Sequence, residues 1–250
     1  MGILDDRTVL ITGGVRGIGK VYALGMAREG ASIMIADIGD ASEVVNQVRE
    51  QGGNADCVLT DVSDEDSTET MAEATKLKFG RIDVLINNAA AFTNVRMGPF
   101  DEITVDEWDG VYAVNVRGCW LAAKAVTKYM KEQSYGKIIN VSSMTVPDGT
   151  PDFAHYVSSK AAIIGLTRAL ARELGQWNIA VNTITPDFIP HDPKVAADNP
   201  GIDEMLVAQR AFQRTQVPED MVGTAVFLSS AASDFITGQN FYVNGGRWFG

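Results

Sequence analysis

A chain of 250 residues with 46% apolar content is long enough for one large α/β domain and requires no second one. Its formal net charge of −11, with no Lys/Arg cluster, argues against a surface that tracks nucleic-acid phosphates. No run of about 20 apolar residues is present, the start Met1-Gly2-Ile3-Leu4-Asp5-Asp6 carries acids where a secretory signal needs bases, and Asp6 breaks the myristoylation pattern, so a cytoplasmic protein without membrane attachment is expected.

From residue 7 to 90, strand and helix patterns alternate with glycine-marked turns, as in the βαβ units of a parallel sheet. Strands are predicted at 8–12, 32–37, 55–60 and 83–87. The helices between them run from Gly17 to Glu29, Ala41 to Gln51 and Asp64 to Phe79, each ending near a glycine (Gly30, Gly52, Gly80) suited to a helix C-cap. Helices at 101–113 and 115–133 follow, then a strand at 137–142, a helix at 153–175, a strand at 178–184, a helix at 218–229 and a closing strand at 240–243. The pattern predicts a single-domain, Rossmann-type doubly wound parallel sheet of seven strands with helices on both faces. Residues 186–218 break the rhythm, with five of the eight prolines around one amphipathic segment from Asp203 to Phe212, and read as a substrate lid. Cys57 and Cys119 form no CxxC and are expected as small buried residues, and with only His155 and His191 no metal site is expected.

Thr12-Gly13-Gly14-Val15-Arg16-Gly17-Ile18-Gly19 lies between the first strand and the first helix. Glycines there permit a tight turn and close approach of backbone to a pyrophosphate, whose charge the helix N-terminus stabilises. The second strand ends at Asp37, 18 residues past Gly19, where a carboxylate can accept from both ribose hydroxyls of NAD and repel the 2′-phosphate of NADP. Arg16 pulls the other way, as a partner for that phosphate or as a solvated surface arginine. Asp37 is taken to decide, and NAD is the expected cofactor.

Further on, Ile138-Ile139-Asn140-Val141-Ser142-Ser143 reads as a buried strand that delivers hydroxyls to a sheet edge. Tyr156 and Lys160 are four apart on a helix and project from one face. A cation held near a phenol lowers its pKa from about 10, making it a usable proton carrier. A nearby serine hydroxyl would hold a substrate oxygen opposite the phenol, a layout suited to proton exchange with an alcohol or carbonyl.

Taken together these segments resemble the short-chain dehydrogenase/reductase family over nearly the whole chain: TGGxxGIG at Thr12 to Gly19, Asp37, Asp61-Val62, Asn87-Asn88-Ala89, Asn115, Ser143 and Tyr156-x-x-x-Lys160, with Tyr156 13 positions after Ser143. The resemblance implies Tyr156 as general acid/base and Lys160 as the group that lowers its pKa and binds the nicotinamide ribose. Ser143 would steady the substrate oxygen and Asn115 would hold a water in a proton relay. It also implies that Asp61 and Val62 frame the adenine, that Asn87 to Ala89 line the adenosine ribose, and that Pro186 and Ile189 lie along the nicotinamide. Other readings stay open: Asp61 as a turn cap, Asn115 as the cap of a helix it opens, and Ser142 rather than Ser143 facing the site. Departures from the family pattern are Ala90 for the glycine of NNAG, which puts a methyl group near the cofactor, Asp187 for the glycine after Pro186, His191 at the offset of a carboxamide-binding threonine, and Asn244 for the usual Asp of the closing segment.

The expected pocket is apolar, lined by Phe92, Met144, Val146, Phe153, Phe188, Pro190, Met205, Leu206 and Phe212. The nearby cations Lys194, Arg210 and Arg214 are expected to face water. A ring-bearing secondary alcohol or its ketone is the expected substrate, with a pyridoxal-type alcohol, a 3-oxoacyl substrate, an epimerase or lyase reaction and a silent NAD sensor as alternatives. Likeness to the family implies a homotetramer joined through the helices at 115–133 and 153–175.

Overall fold

Val9 and Ile11 of the first strand, β1 (Thr8–Thr12), join one hydrophobic cluster and Leu10 joins another, so the strand is buried on both faces. That is the condition of a parallel strand covered by helices on each side. The computed structural model describes residues 2–93, 95–190, 197 and 200–250. The remaining strands are β2 (Ser32–Asp37), β3 (Asn54–Leu59), β4 (Val84–Asn87), β5 (Gly136–Val141), β6 (Ile179–Pro186) and β7 (Asn240–Val243). All pair in parallel in the order β3-β2-β1-β4-β5-β6-β7. This is a Rossmann-type sheet, as the sequence pattern predicted.

Helices α1 (Gly17–Arg28), α2 (Ser42–Glu50) and α3 (Glu65–Phe79) alternate with the first strands. After β4 come α4 (Val105–Tyr112), α5 (Cys119–Gln133), the single turn α6 (Thr145–Asp148), α7 (Ala154–Leu174), α8 (Ile202–Gln209) and α9 (Val222–Ser229). Val44, Val48, Ala225 and Leu228 place α2 and α9 with α1 against the Val9–Ile11 face; Met71, Val126 and Leu174 place α3, α5 and α7 against the other. Local chemistry sets the ends. The Asp64 carboxylate accepts from Ser67 N at 2.7 Å at the start of α3, and Gly80 closes it at φ 78°. Thr104 and Glu107 form a reciprocal capping box at the start of α4.

Two boundaries depart from the sequence reading. The 101–113 helix begins later, because the Thr104 box restarts the chain as α4. It then runs without a break through a π-helical turn, Ala113–Gly118, into α5. Asn115 therefore lies inside a continuous helical run and does not cap a helix it opens. In the 186–218 stretch the amphipathic segment is helical over Ile202–Gln209, and Phe212 is exposed; His191, Pro193 and Lys194 lie outside the described residues. Among the described residues, no helix is long and apolar enough to cross a membrane.

Chain order and spatial order part company at β1, which has β2 on one side and β4 on the other. Loops leaving the carboxyl ends of those strands diverge and open a crevice, the place where doubly wound sheets bind ligands.

One core feature carries a stability prediction. Tyr22 of α1 is fully buried, and its hydroxyl has no hydrogen-bond partner among the described residues. A buried hydroxyl without a partner costs stability, so Tyr22→Phe should leave the melting temperature unchanged or raise it by up to about 4 °C at neutral pH. Burial pushes the Tyr22 phenol well above its ordinary value and that of Tyr135 up to about 12. Groups whose pKa is raised by folding stabilise the fold fully below the unfolded value near pH 10 and lose that contribution above it. Thermal unfolding between neutral and alkaline pH should therefore show stability falling above about pH 10, less steeply in Tyr22→Phe.

Candidate active site

At the carboxyl ends of β1, β2, β4, β5 and β6 lies a cavity of about 1140 Å³. Its dinucleotide end starts at the glycine loop. Gly13 sits at φ 69°, and a Cβ there would come 2.7 Å from Ala89 Cα; a Cβ on Gly19 would come 2.1 Å from Gly13 O. Only glycine allows this loop to fold so tightly beneath the N-terminus of α1, which Gly17 opens at φ 56°. The Asn88 amide nitrogen donates to Thr12 O at 3.1 Å and Gly13 O at 2.9 Å, while the Thr12 hydroxyl accepts from Asn88 N and Ala89 N. The loop is thereby stapled to the end of β4.

Gly13, Arg16, Ile18, Asp37, Asp61, Val62, Asn88, Ala89, Pro186 and Ile189 all line the cavity. Gly17 and Gly19 do not; they shape the loop from behind. Asp37 Oδ2 accepts from Val15 N at 3.1 Å and Oδ1 from Gly39 N at 2.9 Å, which fixes a carboxylate at the cavity wall with lone pairs to spare. Asp61 Oδ1 accepts from Ser63 N and Oγ, so the turn-capping reading holds for an acid that also borders the cavity. Asn87 is a correction. It is buried, absent from the wall, and its amide nitrogen donates to Asn140 Oδ1 at 2.9 Å and Cys119 O at 3.2 Å. As the last residue of β4 it faces the covering helix, and Asn88, one step on, faces the cavity.

The other end of the cavity carries the hydroxyls. Ser142 Oγ donates to Lys160 O at 2.9 Å and faces α7. Both serines border the cavity, but with the Ser142 hydroxyl turned to α7 it is the Ser143 hydroxyl, close enough to the Tyr156 phenol to lower its pKa, that is placed for a substrate oxygen. Thr145 N and Oγ1 donate to Ser143 Oγ at 3.2 and 3.0 Å, which fills the acceptor side of that oxygen and leaves its own proton for the cavity. Tyr156 is 6% exposed, stacked on Phe153 at 4.6 Å between centroids and tilted against Phe92 at 5.4 Å. Lys160 Nζ donates to Val141 O at 2.9 Å and lies 5.8 Å from the Tyr156 ring centre.

The electrostatics correct one expectation. Burial pushes the Tyr156 phenol well above its ordinary value, and the Ser143 hydrogen bond offsets only part of this. Burial also pulls the Lys160 ammonium below its ordinary value. Desolvation is the leading cause at both groups, so Tyr156 holds its proton at neutral pH.

Asn115 too sits differently from the expectation. Its side chain is fully buried; Oδ1 accepts from Ala91 N at 2.7 Å, and Nδ2 donates to Ser159 Oγ at 3.1 Å. The π-helical turn brings it between the loop after β4 and the turn of α7 that bears Lys160. It fastens those elements and does not reach the cavity wall.

At the substrate end, Phe92, Met144, Phe153, Phe188, Met205 and Leu206 line the cavity as expected, while Val146, Pro190 and Phe212 do not. Of the cations expected to face water, Arg210 does not: it is buried, donating from Nε to Asp187 Oδ2 at 2.8 Å, whereas Arg214 is exposed as expected and pairs with Asp220 at 2.5 Å. Arg247, Asp148 and Asp187 contribute an ionic patch to the wall. The sequence offered no motif for it, since Arg247 and Asp148 lie 99 residues apart; the unusual Asp187 was its only trace.

A doubly wound sheet whose crevice runs from a glycine loop to a buried tyrosine is the architecture of dinucleotide-dependent oxidoreductases. The family model described as enoyl-(acyl carrier protein) reductase matches residues 13–247. The 3-oxoacyl-(acyl-carrier-protein) reductase of Staphylococcus aureus is 34% identical over 245 residues, 97% of this chain and 98% of that one. The 5-keto-D-gluconate 5-reductase of Escherichia coli is 35% identical over 246 residues, 97% of this chain and 96% of the relative. A short-chain type dehydrogenase/reductase from Mycobacterium ulcerans superposes with TM-score 0.92 at 29% identity, covering 99% of this chain and 91% of the other. A protein of Beutenbergia cavernae that carries the name NAD(P)-dependent gluconate 5-dehydrogenase, with NADP bound at low occupancy, gives 0.89 at 34% identity over 98% of this chain and 97% of that one. The chain belongs to the short-chain dehydrogenase/reductase family, whose members are oxidoreductases that use a nicotinamide cofactor.

Proposed function

We propose that this oxidoreductase interconverts a ring-bearing secondary alcohol and its ketone, with NAD(H) as cofactor and Tyr156 as general acid/base. The observation that carries the reading is the burial of the Tyr156 phenol among Phe92, Phe153 and Ser143 at the apolar end of the cavity. The crowded Gly13 and Gly19 fit a pyrophosphate, and the fixed Asp37 fits an adenosine ribose.

A bound nicotinamide supplies or accepts the hydride. The chain's own residues handle the proton and the substrate oxygen. In the reduction direction Tyr156 donates its phenolic proton to the oxygen as negative charge develops there, and Ser143 donates a hydrogen bond to the same atom. Thr145 orients Ser143 by filling its lone pairs. Lys160 keeps two donors beyond its bond to Val141, enough to hold a ribose hydroxyl beside the tyrosine. In oxidation the phenol must first lose its proton, which its burial opposes. Alcohol oxidation should therefore rise with pH into the alkaline range while ketone reduction holds level. Asn115 acts as a strut, keeping Ala91 and Ser159 in place.

The names of the relatives support a second reading, reduction of a 3-oxoacyl thioester. A panel followed by NADH absorbance separates the two. Each further buried methylene contributes about 0.8 kcal/mol, so kcat/KM should rise about fourfold per step from acetone towards cyclohexyl and aryl ketones. A 3-oxoacyl thioester reduced faster than every simple ketone would replace the ring-bearing substrate with an acyl chain. We further take residues 186–218 as a lid, with Met205 and Leu206 of α8 over the cavity, and the assembly as a homotetramer joined through α5 and α7, for which the half-exposed Trp120 on α5 is a suitable contact.

A further inference from the structure

The substrate end of the cavity combines an apolar lining with one compact ionic patch. Arg247 reaches it from the C-terminal segment, with its side chain only 6% exposed. Nη1 and Nη2 donate to Asp148 Oδ1 and Oδ2 at 3.0 and 2.6 Å. On the other edge Nε donates to Asp187 Oδ2 at 3.0 Å, and Nη2 lies 2.9 Å from Asp187 Oδ1. A guanidinium grips a carboxylate through one of these two forks, and here the protein's own acids occupy both. Behind the wall Arg210 is engaged by Asp187 at 2.8 Å and approached by Asp203 at 3.7 Å. The patch thus sets three carboxylates against two guanidiniums. Arg96, also on the cavity wall, is held by Glu107 at 2.9 Å.

These arginines are therefore not anion receptors. Asp148 is the member of the patch that faces outward, with 30% of its side chain exposed on the cavity wall. Each of its oxygens accepts one bond from Arg247 and keeps a free lone pair. The Arg247 fork holds the carboxylate in a single orientation, so a donor on the substrate meets an acceptor already in place. A carboxylate brought to the same wall meets like charge and no open fork.

We propose that Asp148 is a specificity-determining residue that accepts a hydrogen bond from a hydroxyl or ammonium on the part of the substrate remote from the reacting carbon, and that it turns away carboxylates. This rests on the ring-bearing alcohol/ketone reading and narrows it to rings carrying a neutral or cationic donor. It separates this chain from any relative whose substrate bears a carboxylate.

The test uses the full-length protein and ring ketones that share one skeleton, acetophenones bearing a methyl, hydroxymethyl, aminomethyl or carboxylate group at the meta or para position. Hydroxymethyl and aminomethyl compounds should show a kcat/KM about tenfold above the methyl compound, and the carboxylate about tenfold below it, mostly through KM. Asp148→Asn removes the charge and keeps the shape; it should raise the carboxylate relative to the methyl compound and erase the aminomethyl advantage. Thermal unfolding of that variant checks that the fold is intact. Ligand-observed NMR of the same compounds gives the binding order without turnover. Binding in the expected order with no reduction of any ketone would overturn the proposed reaction and leave Asp148's role standing. A carboxylate bound or turned over as well as the methyl compound by the unaltered protein overturns the role of Asp148, as does an order that Asp148→Asn leaves unchanged.

Discussion

Replacing Tyr156 with phenylalanine should lower ketone reduction by about 10²–10⁴-fold while dinucleotide binding, followed by quenching of tryptophan fluorescence, stays close to that of the unaltered protein. The expectation follows from what the substitution removes. The ring that stacks on Phe153 and tilts against Phe92 remains, so the cavity keeps its shape, and only the hydroxyl beside Ser143 is lost. Phenylalanine is at home in that apolar site, which makes collapse of the fold a poor explanation for lost turnover. The pH profiles add a second signature. Because burial holds the Tyr156 proton on the phenol, reduction begins from the protonated form and alcohol oxidation from the deprotonated one, and the slope of oxidation against pH should vanish with the hydroxyl. Near-normal turnover in Tyr156→Phe would remove this residue from the reaction.

Much of the fold was legible in the sequence because each element carried its own local signal. Period-two and period-3.6 patterns, with Gly30, Gly52 and Gly80 as stops, placed the strands of the sheet to within about two residues. The glycine loop and Asp37 were legible for a related reason: a strand, a turn and a helix N-terminus in succession leave few places for a pyrophosphate and a ribose. What stayed hidden depends on partners far along the chain. Whether Asn87 faces the crevice or the helix behind it is decided by Asn140 and Cys119. The inward turn of Asn115 depends on a π-helical turn with no sequence signature and on Ser159 across α7. The raised pKa of Tyr156 is a property of depth, which spacing on a helix does not report. Arg247 closes a patch with Asp148 and Asp187 that no local pattern announces, and it turns a pocket expected to be apolar into one with a polar end.

The proposed choice of NAD over NADP should give the second large effect, and the expectation rests on one carboxylate. Asp37 ends β2 at the cavity wall, fixed by Val15 N and Gly39 N, so it cannot swing away from a phosphate without breaking both bonds. Two unit charges about 4 Å apart at an effective dielectric near 20 repel by roughly 4 kcal/mol. Exposure to solvent reduces that figure, and about 3 kcal/mol still corresponds to a preference for NAD over NADP of at least a hundredfold in kcat/KM. Arg16, exposed and on the same wall, works against this by offering a cation to a 2′-phosphate. The opposition is unequal. Solvent screens the charge of an exposed arginine, whereas the carboxylate is fixed at the wall by two backbone N–H groups. Asp37→Ser should therefore raise kcat/KM with NADP by about 10–100-fold and lower that with NAD, leaving Arg16 to decide between them. Adding Arg16→Ala to that variant should then take the NADP gain away. Equal use of the two cofactors by the unaltered protein, measured side by side at one ionic strength, would mean that Arg16 outweighs Asp37 and that the ribose end was read with the wrong sign.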